Sequence, residues 1–119
     1  MTASRNSFPK TERLKRTSEF RHVLKNARSV REDGVSLYFL ENSPVRSSRL
    51  GVVVSRRVFK HATDRNRAKR IVREFFRLKQ TEFRASFDFV VRFIEGSKSF
   101  NQNDLWNILT RLFERAGAL

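Results

Sequence analysis

Residues 64–80 read DRNRAKRIVREFFRLKQ. Seven of these side chains are basic and two are acidic, yet Ile71, Val72, Phe75, Phe76 and Leu78 lie among them. On a helical wheel at about 100° per residue the two kinds separate. Ala68, Ile71, Val72, Phe75, Phe76 and Leu78 fill one arc. Arg65, Lys69, Arg73, Asn66, Arg77 and Arg70 fill the neighbouring arc. Arg67 lies beyond them on the side of Glu74, placed for a local pair. The apolar stripe therefore faces a core. The basic arc is not an ordinary solvated surface, which mixes signs to gain i,i+4 pairs. Arg65, Lys69, Arg73 and Arg77 instead make a ladder of like charges at that spacing, costing a few tenths of a kcal/mol per pair. A polyanion along the face offsets that cost, and the arginine fork matches phosphate geometry. Asn66, near the helix start, can cap it, contact a phosphate or read a base edge; Asp64 is an equally good cap and would leave Asn66 to a ligand. The first turn also offers its free N–H groups to an anion.

The whole chain shares this bias. Its net charge is +14 over 119 residues, which names nucleic acid as the first class of partner and an acidic membrane surface as the second. The membrane is disfavoured, because the apolar arc of the basic helix is needed for the core. No apolar run approaches the roughly 18–20 residues of a membrane span, and the N-terminus has no apolar signal-peptide core. With no cysteine, disulfides, zinc–thiolate sites and thiol nucleophiles are excluded. The length suits one domain with its own core.

Around the basic helix the pattern changes several times. Residues 1–16 form a basic, partly irregular lead-in carrying Arg5, Lys10, Arg13, Lys15 and Arg16, and residues 17–119 form the domain. TSEFRHVLKNAR, from Thr17, is expected to be helical, with Thr17 or Ser18 as its cap and Phe20, Val23, Leu24 and Ala27 on one face. GVSLYFLE alternates, so Val35, Leu37 and Phe39 face one way and Ser36, Tyr38 and Leu40 the other. Asn42 to Arg49 is a turn or loop. LGVVVS and FDFVVRF are further strands, and RRVFKHAT is a basic connection. Residues 95–104 are loop-like. The last helix points Leu105, Ile108, Leu109, Leu112 and Phe113 inward, with Asn101 and Asp104 as a capping box and Gly117 as its stop. The order is that of a small α/β (α+β) two-layer sandwich, a small mixed sheet packed with three helices.

RNRAKRIVREFFR resembles the Arg-Asn-Arg motif helix of the bacterial ribonuclease P protein subunit. Arg65, Asn66, Arg67, Lys69, Arg70, Arg73, Glu74, Phe76 and Arg77 all match its pattern. RLKRTSEFRHVLK is similar to that family's first helix, LGVVVSRRVFKHATDRNR to the strand and connection before the motif, and FDFVVRF to the strand after it. Ala68 departs from it, since many members carry Ile there. The resemblance implies a left-handed βαβ crossover, against the usual hand. It also implies a subunit that assists a catalytic RNA in removing the 5′ leader of precursor tRNA, in the bacterial cytoplasm, with Mg2+ held mainly by RNA. Its partners would be ribonuclease P RNA and precursor tRNA, with no membrane and no obligate protein partner. The motif residues Arg65, Asn66, Arg67, Lys69, Arg70, Arg73 and Arg77 would bind the RNA subunit. A cleft between the first helix and the sheet would hold the leader, with Phe20, Leu24, Tyr38, Arg56, Arg57 and Arg92 carried onto it. Aromatic faces stack on bases of any sequence, as a variable leader requires. Phe20 equally suits ordinary core packing, and only one of Arg56 and Arg57 is expected to point into the cleft.

Chemistry by the protein itself finds little support. A metal-independent ribonuclease wants two histidines, or a histidine and a carboxylate, about the phosphate; His22 and His61 stand far apart in sequence with no third group to orient either. The acidic residues are scattered, unlike the convergent set of a two-metal nuclease. Glu32 and Asp33, the one adjacent pair, precede Gly34 and suit a turn. The competing readings are a ribosomal or general structured-RNA-binding protein and an independent nuclease.

Overall fold

The computed structural model describes residues 13–42, 47–94 and 101–119. Most of the lead-in, the tip of the loop after Asn42 and most of the loop before Asn101 lie outside them. The described elements are α1 (Thr17–Asn26), β1 (Arg28–Glu32), β2 (Val35–Glu41), β3 (Arg49–Val54), α2 (Ala62–Lys79), a short 3-10 turn (Gln80–Glu82), β4 (Phe87–Phe93) and α3 (Gln102–Arg115). The sheet runs β1-β2-β4-β3, antiparallel at its first two junctions. β3 and β4 are parallel, joined through α2. This is the small mixed sheet with three helices that the sequence leads one to expect.

The fourth strand, β1, is an addition to that expectation. It carries one core-facing residue, Val30, between polar neighbours, so its apolar signal is faint. The stronger signal lies in the turn. Glu32 pairs with Val35, leaving Asp33 and Gly34 as a two-residue loop, at φ 51° and 81°. Positive φ at both positions is what a tight hairpin of the right twist demands, and Asp-Gly supplies it. The expected first helix accordingly stops at Asn26 rather than running to Arg28. Its cap also differs. Arg16 occupies the N-cap, and Glu19 reaches back to accept from the Lys15 and Arg16 N–H groups at 2.8 and 3.0 Å. Thr17 and Ser18 fall inside the first turn.

β2 and β4 are the two interior strands, each hydrogen-bonded on both sides. One face of the sheet meets α2 and α3 over the main core, where Leu37, Leu50, Phe89, Val91 and Phe93 pack against Phe75, Phe76, Leu109, Leu112 and Phe113. Five of the six apolar residues assigned to the stripe of α2 are buried. Leu78, at the margin of the arc beside Arg67, is 48 % exposed instead. The residue at the N-cap of α2 is His61, without a side-chain bond, and Asp64 lies in the first turn, where its charge suits the helix dipole without capping it. α3 matches its expectation throughout. Asn101 Oδ1 accepts from Asp104 N–H at 2.8 Å, the five inward residues are buried, and Gly117 follows the helix at φ 80°.

α1 lies across the other face, over β2 and β4. A smaller cluster of Leu14, Val23 and Val90 sits beneath it. The end of the lead-in joins this layer: Leu14 N–H donates to the Leu50 carbonyl at 3.0 Å, beside a parallel bridge from Arg13.

Candidate nucleic-acid interface

The basic face of α2 is less uniform than its wheel suggests. Its two ends are engaged within the protein. Arg65 donates from Nη1 to the carbonyls of Phe59 and Lys60, both at 2.9 Å, and so ties the basic connection onto the helix start. Arg77 grips Glu74 with two bonds, Nε at 3.1 Å and Nη2 at 2.5 Å. That contact replaces the expected Arg67–Glu74 pair. Three residues along the helix, Arg77 presents its fork to both carboxylate oxygens, and it holds the Glu74 carboxyl below its ordinary pKa. Asn66, Arg67, Lys69 and Arg70 have no side-chain hydrogen bond or ion pair among the described residues; Asn66, Arg67 and Arg70 are exposed and Lys69 is half-buried. Arg73 is also half-buried, and its pKa is lowered, first by desolvation and then by the neighbouring charge of Arg13. A partly desolvated cation of this kind favours an anion brought alongside it.

On the other face, α1 packs on β2 and β4. Phe20, Leu24, Tyr38 and Val53 are partly exposed around the buried cluster of Leu14, Val23 and Val90. The ring of Phe20 rests on β3 at Gly51, where an added Cβ would lie 2.4 Å from Phe20 Cε1. An isolated glycine in a strand marks such close approaches, and Gly51 was the available signal for this one. Tyr38 faces away from Leu37, as its alternation requires. Arg92, opposite Ser36 and Val53, is exposed on the same face.

Both arginines after β3 are exposed, and Arg57 is the one beside Arg92. Arg57 lines a hollow of about 210 Å3 together with Val53 and Arg92. Arg56 is exposed and not part of that lining. Phe20, Leu24 and Tyr38 thus gather in the small cluster, Arg57 and Arg92 share the adjoining hollow, and Arg56 stands apart.

A junction that the sequence did not reveal braces α1 against the sheet. Asp88, 4 % exposed in a strand otherwise apolar on that stretch, accepts from Arg49 Nε at 2.9 Å and Nη2 at 2.8 Å. Asn42 Nδ2 adds a third bond at 2.9 Å. Arg49 also reaches Glu19 on α1 at 3.0 Å, so one guanidinium ties the helix wall to the sheet floor. The three residues are 30 and 39 positions apart, beyond the reach of any local pattern.

Glu32 is similarly occupied: it pairs with Arg111 and Arg115 of α3. Among the described residues no three histidine, aspartate or glutamate side chains converge as a metal site would require. His22 lies on α1 beside the Asn26 amide, and His61 at the start of α2. Nor is any helix among the described residues long and apolar enough to cross a membrane.

Comparison with known proteins gives one family. Residues 8–117 match the sequence model described as Ribonuclease P. The ribonuclease P protein component of Methylococcus capsulatus is 37 % identical over 111 residues, spanning 87 % of this chain and 85 % of that protein. That of Coxiella burnetii is 35 % identical over 101 residues, spanning 85 % and 82 %. Among solved structures, the Staphylococcus aureus RNase P protein superposes with a TM-score of 0.82 at 25 % identity, covering 90 % of this chain and 96 % of that one. The Thermotoga maritima RNase P protein gives 0.74 at 32 % identity, covering 87 % and 96 %.

Proposed function

Because the chain belongs to the ribonuclease P protein component family, we propose that its two basic regions divide the work between two RNAs. Ribonuclease P is an endoribonuclease of tRNA processing whose catalysis is by its RNA, and this chain is its protein subunit. The face of α2 binds ribonuclease P RNA through Asn66, Arg67, Lys69, Arg70 and Arg73, with Arg65 and Arg77 shaping its ends. The cleft under α1 holds the 5′ leader of precursor tRNA, with Phe20 and Tyr38 stacking on bases, Leu24 in apolar contact beside them and Arg57 and Arg92 meeting phosphates. The observation that carries this division is that the cations of α2 without a partner among the described residues and the partly exposed aromatics under α1 lie on different faces of the sheet.

The protein contributes affinity and charge screening rather than bond chemistry. Magnesium ions would be held mainly by RNA, as the family resemblance implies; Glu19, Glu32, Glu74 and Asp88 of this chain are committed to arginines. The bacterial cytoplasm is the corresponding location.

The test is cleavage of a precursor tRNA at low magnesium by ribonuclease P RNA alone, protein alone and both together. Cleavage only by the mixture is expected. Cleavage by the protein alone would make it a nuclease in its own right. If the mixture is inactive and the protein instead co-sediments with ribosomes, it is a general RNA-binding protein.

Two variants separate the surfaces. Lys69→Ala with Arg70→Ala should weaken RNA-subunit binding and flatten its log–log salt dependence by about 0.7–0.9 for each phosphate no longer neutralised. An unchanged slope, measured by titration at several salt concentrations, assigns the RNA to another face. Tyr38→Ala should cost about 1–3 kcal/mol in binding precursor tRNA, the worth of one stacked base, and leave mature tRNA unaffected. Equal losses for both tRNAs would remove Tyr38 from the leader site.

A further inference from the structure

The cleft does not end where α1 ends. Cross-strand register places Arg31, Ser36, Arg92 and Val53 in one row over β1, β2, β4 and β3. All four belong to the face that α1 covers only in part. Val30 packs into the opposite core, so its neighbour Arg31 projects to this side. Ser36 is 6 % exposed, and its small side chain leaves a low floor between two arginines. Three strand steps at ~4.8 Å make the row about 14 Å long, room for a few extended nucleotides.

Three exposed guanidiniums punctuate it: Arg57 beyond β3, Arg92 in the middle and Arg31 at the far edge. None has a side-chain hydrogen bond or ion pair among the described residues. Elsewhere in the fold, Arg49, Arg77, Arg111 and Arg115 all hold carboxylates. The backbone beneath Arg31 is fixed, because Arg115 Nη1 donates to its carbonyl at 3.0 Å and Arg111 holds the adjacent Glu32. Arg31 is therefore a cation on a braced strand with its charge left for a ligand.

We infer that Arg31 is a phosphate contact at the upstream end of a trough crossing all four strands. The inference rests on the leader-binding reading of the cleft. The trough also has a direction. Its β3 end leads through residues 55–61 into α2 and the proposed RNA-subunit face, so nucleotides nearest the cleavage point lie by Arg57 and Arg92. Those further upstream reach Arg31. The ligand is single-stranded RNA, met by charge at intervals and by no base-reading group at the β1 end, so this contact is indifferent to sequence.

Arg28 is the internal control. It lies on the same strand with the same charge, is exposed, and pairs opposite Phe39, so it points to the other face. Precursor tRNAs with leaders shortened stepwise from the 5′ end would be titrated with the reconstituted holoenzyme. Arg31→Ala should bind the longest leaders about 3- to 5-fold more weakly, as an exposed charge contact does. The deficit should vanish once the leader is too short to cross the sheet, and Arg31→Lys should recover most of it. Arg28→Ala should match wild type at every length. Wild-type affinity that depends on leader length, with Arg31→Ala indistinguishable from it, overturns the inference alone. So does a deficit that persists on the shortest leader. Wild-type affinity independent of leader length overturns the cleft reading and this inference with it.

Discussion

Phe89→Ala lowers the free energy of unfolding by about 3–5 kcal/mol, the usual cost of deleting a buried phenyl ring. The site is at the unfavourable end of that range for physical reasons. Phe89 lies on the interior strand β4 and is wholly buried. Its ring centroid is 4.8 Å from that of Phe113, 5.2 Å from Phe83 and Phe87 and 6.3 Å from Phe76. Those rings come from α2, α3, β4 itself and the segment between α2 and β4, so no single element can move in to fill the void. Against a typical total of about 5–15 kcal/mol, the variant is marginal at growth temperature. Denaturant titration of the free protein measures it. A loss under about 1.5 kcal/mol would mean that the aromatic cluster repacks as a flexible group.

Asp88→Ala is the second large effect, about 3 kcal/mol. Removing one partner of a buried ion pair leaves the other charge without compensation. Arg49 would keep Glu19 alone, at the margin of the sheet, and the Asn42 amide would lose the nearer of its two acceptors, keeping the Ser47 carbonyl. Replacing both partners by apolar residues, Arg49→Met with Asp88→Leu, should recover most of the loss, since well-packed apolar pairs often equal buried ion pairs. A double variant as unstable as Asp88→Ala would show that the pair contributes through geometry that apolar packing cannot copy. The junction also responds to acid. Backbone N–H donation from Arg16 and Lys15, with Arg49 nearby, holds Glu19 below its ordinary value of 4.5. A carboxylate with a depressed folded pKa stabilises the fold above its unfolded pKa. That contribution is lost as pH falls from 4.5 through the lowered value, and the tie between α1 and the sheet weakens there.

The division between what is legible in the chain and what is not follows the range of the interactions. α3 announces itself because its cap, stripe and stop lie within one short segment. The stripe of α2 and the alternation of β2 are equally local. β1 escapes notice because an edge strand with Val30 as its one core-facing residue leaves little pattern, although Asp33–Gly34 marks its turn. The cap of α1 departs from expectation because Glu19 reaches back to two backbone N–H groups, making a side-chain cap at Thr17 or Ser18 unnecessary. On the basic face, a helical wheel supplies directions but not partners: Glu74 pairs with Arg77, and Arg65 turns to the Phe59 and Lys60 carbonyls. The Glu19–Arg49–Asp88 junction exists only once three distant segments meet. The same limit applies to the row from Arg57 to Arg31, which depends on strand register rather than on any motif.

The hairpin edge also bears on the behaviour of the protein in concentrated solution. A four-stranded open sheet ends in strands whose free N–H and C=O groups invite another copy to pair. On β1 the exposed positions Arg28 and Arg31 would set like charges against an incoming identical strand, and Arg115 already occupies the Arg31 carbonyl. On β3 the Arg13–Leu14 segment takes up part of the edge at Leu50. A chain whose charge attracts RNA is by the same charge discouraged from adding itself to its own sheet.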